Sequence, residues 1–246
     1  MSNSSMLSGF DRVYIINLKT RPDRWSEIQA QLLKAGIDPT SEKIQRFDAV
    51  RPDDAGGFPT IGTRGCFMSH LGVLEDALKR GHQRILVLED DLDFDKDFRA
   101  LWPSVQARLA KQDWHIFHGA YELTSSPETQ MTKPVSDVTA TTGIVTIPML
   151  GYQGEVISIA VNYLRAMLQR PPGSPEGGPM HVDGALNWLR QAHRELQTIV
   201  ATPQLGHQRP SRTDIHDLKW YDRLPLISHL AQAARRLKRS MGRQAS

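Results

Sequence analysis

Short apolar runs alternate along the chain with segments in which apolar residues recur every three or four positions. The runs at residues 13–17 (VYIIN) and 85–88 (ILVL) predict buried strands, because both faces of such a run are apolar over most of its length. Between them, apolar side chains at helical spacing from Phe67 to Leu78 predict an amphipathic helix, which Gly81 ends. Strands separated by helices in this way indicate an α/β domain.

The rest of the chain continues this alternation and contains no internal repeat or low-complexity segment. A helix is predicted to begin at Pro22 and to extend to about Ala35, where Gly36 ends it. Glycine and proline predict loops over residues 56–65 and 170–179. The remaining predicted elements are strands near residues 115–118, 143–147, 156–159 and 196–201, and helices near residues 161–168 and 182–193. We therefore expect a mixed, mostly parallel sheet flanked by helices.

A dense cluster of carboxylates follows the second apolar run at once. Six lie within nine positions: Glu89, Asp90, Asp91, Asp93, Asp95 and Asp97. Carboxylates this close raise one another's pKa or bind a cation, and ligands in open α/β sheets bind beyond the carboxyl ends of strands. Carboxylate oxygens suit Mg²⁺ or Mn²⁺, so the cluster predicts a divalent-metal site. The alternative is a solvated acidic loop at the start of a helix.

Two other known acidic motifs share features with this cluster. A calcium-binding EF-hand loop beginning at Asp91 is excluded, because Lys96 and Trp102 stand where the loop needs glycine and glutamate. A receiver-like signalling module also has an apolar strand that ends in acids, but it needs a second strand ending in Asp about fifty residues later and a third ending in Lys. Residues 134–143 offer neither, and more than eighty residues precede the acidic strand.

The segment after the first strand predicts a contact with an anion. No GxGxxG and no GxxxxGK[ST] motif occurs in the chain, so both common phosphate-binding loops are excluded. Arg21 and Arg24 lie near a helix start, where they would either meet an anionic ligand or pair locally with Asp23 and Glu27.

Three residues with reactive side chains cluster near the start of the second predicted helix. Ser69 and His70 are adjacent, but adjacency alone does not make a nucleophile and base pair. His70 lies at the edge of the apolar stripe, where a packed, hydrogen-bonded histidine is expected, and Cys66 is expected to be a small buried residue.

Composition and charge narrow the class of protein. A chain of 246 residues with 39% hydrophobic residues has enough apolar side chains for a packed core. A single cysteine, Cys66, excludes an internal disulfide and a cysteine-based zinc site. Neither a secretory signal nor an apolar run long enough to span a membrane is found, so a cytoplasmic protein is expected. The net charge of +3 comes from residues 223–246, because residues 1–222 carry 24 basic and 27 acidic side chains, and nucleic-acid binding is not expected.

Four ordered motifs together resemble glycosyltransferase family 25, which includes bacterial lipooligosaccharide galactosyltransferases and collagen hydroxylysine galactosyltransferases. They are YIINLKTRPDRW (14–25), FDAV (47–50), GTRGCFMSHL (62–71) and LVLEDDL (86–92). Weaker matches continue at GYQGEVIS (151–158), MHVDGAL (180–186) and HQRPSRTDI (207–215). The sequence departs from the family pattern at Thr63 and Arg64 and at Glu155 and Val156, which bears on donor and acceptor identity.

The resemblance implies an inverting hexosyltransferase with a GT-A-like fold, a UDP-sugar donor, most often UDP-galactose, and a cell-surface glycan precursor such as lipooligosaccharide or polysaccharide as acceptor. A diphosphate leaving group calls for a divalent ion, so Asp91 is assigned to Mn²⁺ or Mg²⁺ with Asp93 as the second carboxylate. His207 would supply either a late metal ligand or a phosphate contact. Asp183 is the first choice for general base and Asp214 the second. The residues expected to bind the donor are Asn17, Leu18, Arg21, Arg24, Ser69, His70, Glu89 and Asp90. An inactive relative that binds sugar nucleotides is the alternative.

The last 24 residues, 223–246, form a basic segment after a catalytic domain expected over residues 1–222. Leu226, Leu230, Ala233 and Leu237 recur in it at helical spacing, among several arginines and lysines. Such a helix either packs its apolar face on the domain or lies on an anionic membrane surface, where it would hold the protein on the inner face of the cytoplasmic membrane.

Overall fold

The computed structural model describes residues 6–124 and 130–210. This part of the chain forms nine strands and five helices. In order, they are β1 (Arg12–Asn17), α1 (Pro22–Lys34), β2 (Ile44–Asp48), α2 (Ile61–Arg80), β3 (Arg84–Glu89), β4 (Leu92–Phe94), α3 (Phe98–Lys111), β5 (Ile116–Leu123), β6 (Val135–Val138), β7 (Ile144–Gln153), α4 (Val156–Leu168), α5 (Val182–Ala192), β8 (Thr198–Ala201) and β9 (Gly206–Gln208). None of the helices in these described ranges is long and apolar enough to cross a bilayer.

Seven of the strands form one mixed sheet, in the order β2-β1-β3-β7-β5-β8-β6, and β4 pairs with β9 beside it. Strand β1 is parallel to β2 and to β3, and β5 is parallel to β8. Strand β7 is antiparallel to β3 and β5, and β6 is antiparallel to β8. Five of the seven strands therefore share one direction, although only three of the six strand pairs are parallel. The predicted α/β fold with a mixed sheet flanked by helices is confirmed.

Both faces of the sheet are covered, which explains why its central strands are apolar throughout. Val13 and Ile15 of β1 face a layer that includes α1 and α3, whereas Tyr14 and Ile16 face α2, α4 and α5. Each fully buried aliphatic side chain contributes about 1.5–3 kcal/mol to stability relative to exposure. Because β1 and β3 are parallel neighbours in this buried sheet, their carboxyl ends lie next to each other.

The apolar stretch at residues 156–159 was predicted to be a strand, and this was wrong. It forms the first turn of α4, because β7 continues to Gln153 and the chain turns at Gly154, which has a positive φ of 75°. Residues rich in valine and isoleucine favour strands locally, but the buried positions from Val156 to Leu164 recur at helical spacing.

Helix α2 begins earlier than the glycines predicted. Its N-cap is Thr60, whose hydroxyl oxygen accepts a hydrogen bond from the Thr63 N–H at 3.0 Å. Gly65, assigned to a loop by its sequence context, lies inside the helix. A β-carbon there would stand 2.6 Å from the backbone oxygen of Val50, so glycine permits the segment after β2 to contact α2 closely.

Strands β2, β4, β6 and β9 and helix α3 were not predicted. Helix α3 contains Pro103, which disfavours a helix assignment, yet its buried residues Phe98, Trp102, Val105 and Leu109 follow helical spacing. The four missed strands are three to five residues long, too short for a periodic pattern to be distinctive.

Strand β5 carries a histidine, His118, in the interior of the protein. Its side chain is 1% exposed, and neither ring nitrogen has a hydrogen-bond partner within the described ranges. Burial, together with the positive charge of Arg190, lowers the pKa of His118 to about 3. The ring is therefore neutral in the folded protein at any pH near neutrality.

We expect this burial to make the free energy of unfolding depend on pH. The unfolded chain binds a proton at His118 as the pH falls through about 6.5, and the folded chain does so only near pH 3, so acid favours unfolding. Between pH 7 and pH 5 the wild type should lose about 2 kcal/mol more than His118→Leu. Urea unfolding of both proteins at several pH values measures this difference, and a constant difference would contradict the assignment.

Candidate active site

The acidic cluster lies where the sequence places it, at the carboxyl edge of the central parallel strands. Asn17 ends β1, Glu89 ends the neighbouring β3, and Asp90 and Asp91 follow directly. The first half of α2 lies over the same edge, because its His70 contacts Glu89. The predicted position of these carboxylates beyond a buried strand is confirmed, and their role as a binding site stays a prediction.

Asp91 is the carboxylate with an open oxygen. Its side chain is 5% exposed; Oδ2 accepts a hydrogen bond from Gln208 Nε2 at 3.1 Å and lies 3.6 Å from Arg24 Nη1. Its other oxygen, Oδ1, is buried and has no partner in the described part of the chain. Burial, with the negative charge of Glu89, raises the pKa of Asp91 to about 7 although Arg24 opposes the shift. An unpartnered buried carboxylate oxygen fits a hard divalent cation.

Asp90 has a different environment from Asp91. Its Oδ1 accepts a hydrogen bond from Arg24 Nη1 at 2.8 Å, and its Oδ2 accepts one from Asn17 Nδ2 at 2.7 Å. Burial raises the pKa of Asp90 although Arg24 and Asn17 oppose the shift. Asp90 therefore fixes the guanidinium of Arg24 beside Asp91, rather than pointing an open oxygen at a ligand. The Oδ1 atom of Asn17 is buried and without a partner among the described residues.

Asp93, the expected second metal ligand, already has a strong partner. Its Oδ1 accepts hydrogen bonds from Gln31 Nε2 at 2.7 Å and from Arg209 Nε at 2.9 Å. Arg209 also pairs with Glu27. His207 lies opposite Asp93 in the pairing of β4 with β9, so both expected ligands belong to the same small sheet. Metal binding by either remains a prediction.

A second group of polar side chains joins α2 to the end of β3. His70 Nε2 lies 3.0 Å from Glu89 Oε1, and the Cys66 thiol lies 3.8 Å from the same oxygen. Burial raises the pKa of Cys66, and the charges of Glu89, Asp91 and Asp183 raise it further. The thiol is therefore held in its protonated form by its surroundings, and it contacts Glu89. The expected packed, hydrogen-bonded histidine is observed, whereas Cys66 keeps partial exposure.

Other residues expected to bind a donor have local partners. The Ser69 hydroxyl donates to the Gly65 carbonyl at 2.6 Å and accepts from the Val50 N–H at 2.9 Å, which ties the segment after β2 to α2. Arg21 pairs with Asp23 at 2.8 Å. Leu18 is partly exposed after β1. For these three side chains, contact with a donor remains a prediction.

Asp183, the first choice for general base, belongs to the same edge of the molecule. It lies in the first turn of α5; its Oδ2 accepts from the Thr146 N–H at 3.2 Å and its Oδ1 from the Gly184 N–H at 2.7 Å. Because β7 runs antiparallel to β3 and Met149 lies opposite Leu88, Thr146 and the Asp183 carboxylate that it contacts lie toward the carboxyl end of β3. Asp214, the second choice, lies outside the described residues.

Thr146, which contacts Asp183, has a strained backbone. The φ angle of Thr146 is 58°, in the left-handed region that β-branched residues avoid. Among the described residues, all others with a positive φ are glycines. The pairing of β5 with β7 shifts register between Met149 and Val145, the part of β7 that contains Thr146.

We expect Thr146→Gly to increase the free energy of unfolding by about 0.5–1 kcal/mol, because glycine adopts this φ without cost and keeps the N–H that Asp183 accepts. Thr146→Ala, which removes only the branched side chain, should give a smaller change. Thermal and urea unfolding of the three proteins measure the effect; a loss of stability in the glycine variant would show that the threonine side chain outweighs the backbone strain.

Sequence reasoning missed three residues that position the carboxylates: Gln31, Gln208 and Arg209. Gln208 and Arg209 lie in the segment HQRPSRTDI, whose resemblance to the family was the available signal. Gln31 gave no signal, since a polar residue in an amphipathic helix is expected to be solvated.

The protein is an α/β protein with a cluster of carboxylates at the carboxyl ends of the parallel strands β1 and β3. The sequence profile "Glycosyltransferase family 25 (LPS biosynthesis protein)" matches residues 10–140, more than half of the chain. The chain belongs to glycosyltransferase family 25.

Individual relatives match different shares of the chain. Human "inactive glycosyltransferase 25 family member 3" is 31% identical over 229 residues, which cover 80% of this chain and 36% of that protein. Human procollagen galactosyltransferase 2 is 27% identical over 129 residues, which cover 45% of this chain and 20% of that protein. The chain thus spans only about a third of the length of these relatives, or less.

Solved structures resemble the chain more distantly. The 4-diphosphocytidyl-2C-methyl-D-erythritol synthase of Anaerococcus prevotii aligns with a TM-score of 0.41 and 10% identity over 93% of this chain and 82% of that chain. A glycosyltransferase involved in the glycosylation of the major capsid of PBCV-1 aligns with a TM-score of 0.36 and 10% identity over 82% and 96%. At these scores neither likeness carries a functional argument.

Proposed function

We propose that this chain is an inverting, metal-dependent hexosyltransferase that moves galactose from UDP-galactose to a bacterial cell-surface glycan precursor such as lipooligosaccharide or polysaccharide. The observation that carries the proposal is the unpartnered Asp91 Oδ1 atom, buried at the carboxyl ends of β1 and β3. Family membership supports the reaction class, and the name of the human procollagen galactosyltransferase supports the choice of sugar.

Different residues would bind the metal ion, the diphosphate and the nucleoside of the donor. Asp91 would hold Mn²⁺ or Mg²⁺, with Asp93 and His207 as further ligands, and the bound ion would neutralise the diphosphate leaving group. Arg24, fixed by Asp90, supplies a permanent positive charge beside Asp91. Asn17, with its unpartnered Oδ1, and the partly exposed Leu18 would contact the nucleoside.

Asp183 is assigned as the general base. An inverting transfer in a single displacement needs one group to take the proton of the acceptor hydroxyl on the face opposite the leaving group. The backbone N–H groups of Thr146 and Gly184 hold the Asp183 carboxylate in one orientation. Each of its oxygens keeps a lone pair for the acceptor.

A second candidate function is that of an inactive protein that binds sugar nucleotides. One observation favours it: the human relative that aligns with 80% of this chain is named inactive. Such a protein would bind UDP but release none from a sugar nucleotide in the presence of acceptor.

A donor screen separates the two. The full chain is incubated with UDP-galactose, UDP-glucose and other sugar nucleotides, with and without Mn²⁺, and released UDP is measured with and without a lipooligosaccharide acceptor. The transferase proposal expects acceptor-stimulated release of UDP that depends on the metal and is largest for UDP-galactose. Binding of UDP with no release from any donor would instead support the inactive protein.

We further propose that residues 223–246 place the protein on the inner face of the cytoplasmic membrane, near a lipid-linked acceptor. These residues lie outside the described ranges, and the support is their sequence, which has six basic residues and no acidic ones. Each cation near an anionic surface contributes about 1 kcal/mol. Co-sedimentation with vesicles that contain anionic lipid should weaken with salt and be lost after truncation at Asp222; unchanged sedimentation of the truncated chain would refute the assignment.

A further inference from the structure

The side chains of Cys66, His70 and Glu89 converge at the end of β3, and His70 and Glu89 are also expected to bind the donor. Cys66 and His70 stand one helical turn apart on α2, so both face the same strand end. Their Sγ and Nε2 atoms and a Glu89 carboxylate oxygen all lie within 4.8 Å of one another. Two of the separations to Glu89 Oε1 are 3.0 Å, from Nε2, and 3.8 Å, from Sγ.

These separations suit a tetrahedral metal ion. Zinc binds sulfur at about 2.3 Å and nitrogen or oxygen at about 2.0–2.2 Å, which places neighbouring ligand atoms about 3.3–3.8 Å apart. The three side chains therefore need only small rotations to surround one ion. A fourth position would remain open to water, as in zinc sites with three protein ligands.

We propose that Cys66, His70 and Glu89 form a second metal site, adjacent to Asp91, that takes a thiophilic divalent cation such as Zn²⁺. The ligand type distinguishes the two sites: a thiolate and an imidazole select zinc-like ions, whereas the carboxylates of Asp91 and Asp93 select Mg²⁺ or Mn²⁺. A single cysteine excludes a zinc centre built on several thiolates, but not this mixed site.

Binding of the ion releases one proton and replaces one hydrogen bond. The ion replaces the thiol proton of Cys66, which passes to solvent, and takes the place of the hydrogen bond between His70 and Glu89. Asp91, two residues after Glu89, adds a carboxylate near this position, so a dication there meets a negative field.

Occupation of this site should inhibit sugar transfer, a consequence that rests on the proposed function. An ion held by Glu89 places two positive charges beside Asp91 and draws away a carboxylate from the edge where the donor is expected to bind. Zn²⁺ at low concentration would then lower the transfer rate in the presence of excess Mn²⁺.

Cobalt provides the direct test, because Co²⁺ bound to a thiolate gives a near-ultraviolet charge-transfer band. Cys66 is the single cysteine of the chain, so a thiolate band arises from this residue alone. The reduced full-length protein is titrated anaerobically with Co²⁺, alongside Cys66→Ser, His70→Ala, Glu89→Gln and, as the control for the neighbouring site, Asp91→Asn. Circular dichroism and thermal unfolding establish that each variant is folded.

The proposal expects a band that saturates at one Co²⁺ per chain, disappears on addition of Zn²⁺ and is lost in Cys66→Ser. His70→Ala and Glu89→Gln should weaken the affinity for Co²⁺ at least about ten-fold, the size of effect expected for a lost ligand or its neighbour. Asp91→Asn should keep the band.

Three results would overturn it: no band in the wild type, saturation at one Co²⁺ per two chains, or affinity unchanged in both His70→Ala and Glu89→Gln. If either of these two variants fails to fold, the other decides. A Co²⁺–thiolate band without any transferase activity would support the metal site and contradict the proposed function. Transferase activity without the band would support the proposed function and contradict the metal site.

Discussion

Asp91→Asn should lower the Mn²⁺-dependent transfer rate by about two to three orders of magnitude while leaving the protein folded. Asparagine keeps the shape of the side chain and an oxygen that accepts from Gln208, but it loses the negative charge that a divalent ion requires. A metal that neutralises a leaving group contributes several kcal/mol to transition-state stabilisation, and about 1.4 kcal/mol corresponds to a tenfold change in rate. Initial rates at saturating UDP-galactose, over a range of Mn²⁺ concentrations, measure the loss.

The same substitution should not reduce stability, and this separates a functional carboxylate from a structural one. Asp91 is nearly completely buried, and burial raises its pKa, so the folded protein bears a cost for keeping the side chain ionised above pH 7. Removal of that charge in metal-free buffer at pH 8 should leave the unfolding temperature equal to or above that of the wild type. Active sites commonly retain such costs because the reaction needs the charge.

Asp97→Asn is the matched control, because Asp97 belongs to the same acidic run but is exposed and makes no side-chain capping hydrogen bond. Its transfer rate should remain within about twofold of the wild type. Equal loss of activity in Asp91→Asn and Asp97→Asn would mean that the total charge of the run matters and not the open oxygen of Asp91. Full activity of Asp91→Asn would remove the metal role.

The position of the site was predictable from sequence because it depends on short-range features. An apolar run of four residues ends directly in acids, and the carboxyl end of a central strand is a general ligand position in α/β sheets. This reasoning needs no knowledge of distant residues. It correctly placed Asp91 at a buried strand end.

Which acid is paired and which keeps an open oxygen was not predictable from the local sequence. Asp90 and Asp91 are neighbours in sequence, yet one is paired with Arg24 and Asn17 and the other has an open oxygen. The partners that make this difference lie 66 and 73 residues away from Asp90 in sequence. Gln208, which orients Asp91, lies 117 residues away.

The errors in secondary structure have the same origin. Residues 156–159 have strand propensity, but their place after the turn at Gly154 and their packing against α2 and α5 make them helical. Gly65 indicates a loop until Val50 is seen to approach it within the helix. Local preference determined neither outcome; tertiary contacts did.

Asp183→Asn should lower kcat by about 10²- to 10⁴-fold, the usual contribution of a general base, with little change in the KM for UDP-galactose. Asparagine still accepts a hydrogen bond from the Thr146 or Gly184 N–H, so α5 should begin at the same residue. The amide does not take a proton from the acceptor hydroxyl. Steady-state kinetics with both substrates varied measure the two constants.

The competing explanation is that Asp183 merely places a negative charge at the start of α5. That role is worth about 0.3–1 kcal/mol of stability and predicts a small fall in unfolding temperature with unchanged kcat. Asp137→Asn, an exposed acid on β6, controls for the loss of one carboxylate elsewhere and should leave both constants unchanged. Asp183→Glu retains a carboxylate and should recover part of the activity. A fall in kcat for Asp183→Asn that Asp183→Glu partly reverses assigns the proton transfer to this carboxylate. If Asp183 served only as a charge at the start of α5, kcat would stay unchanged in both variants.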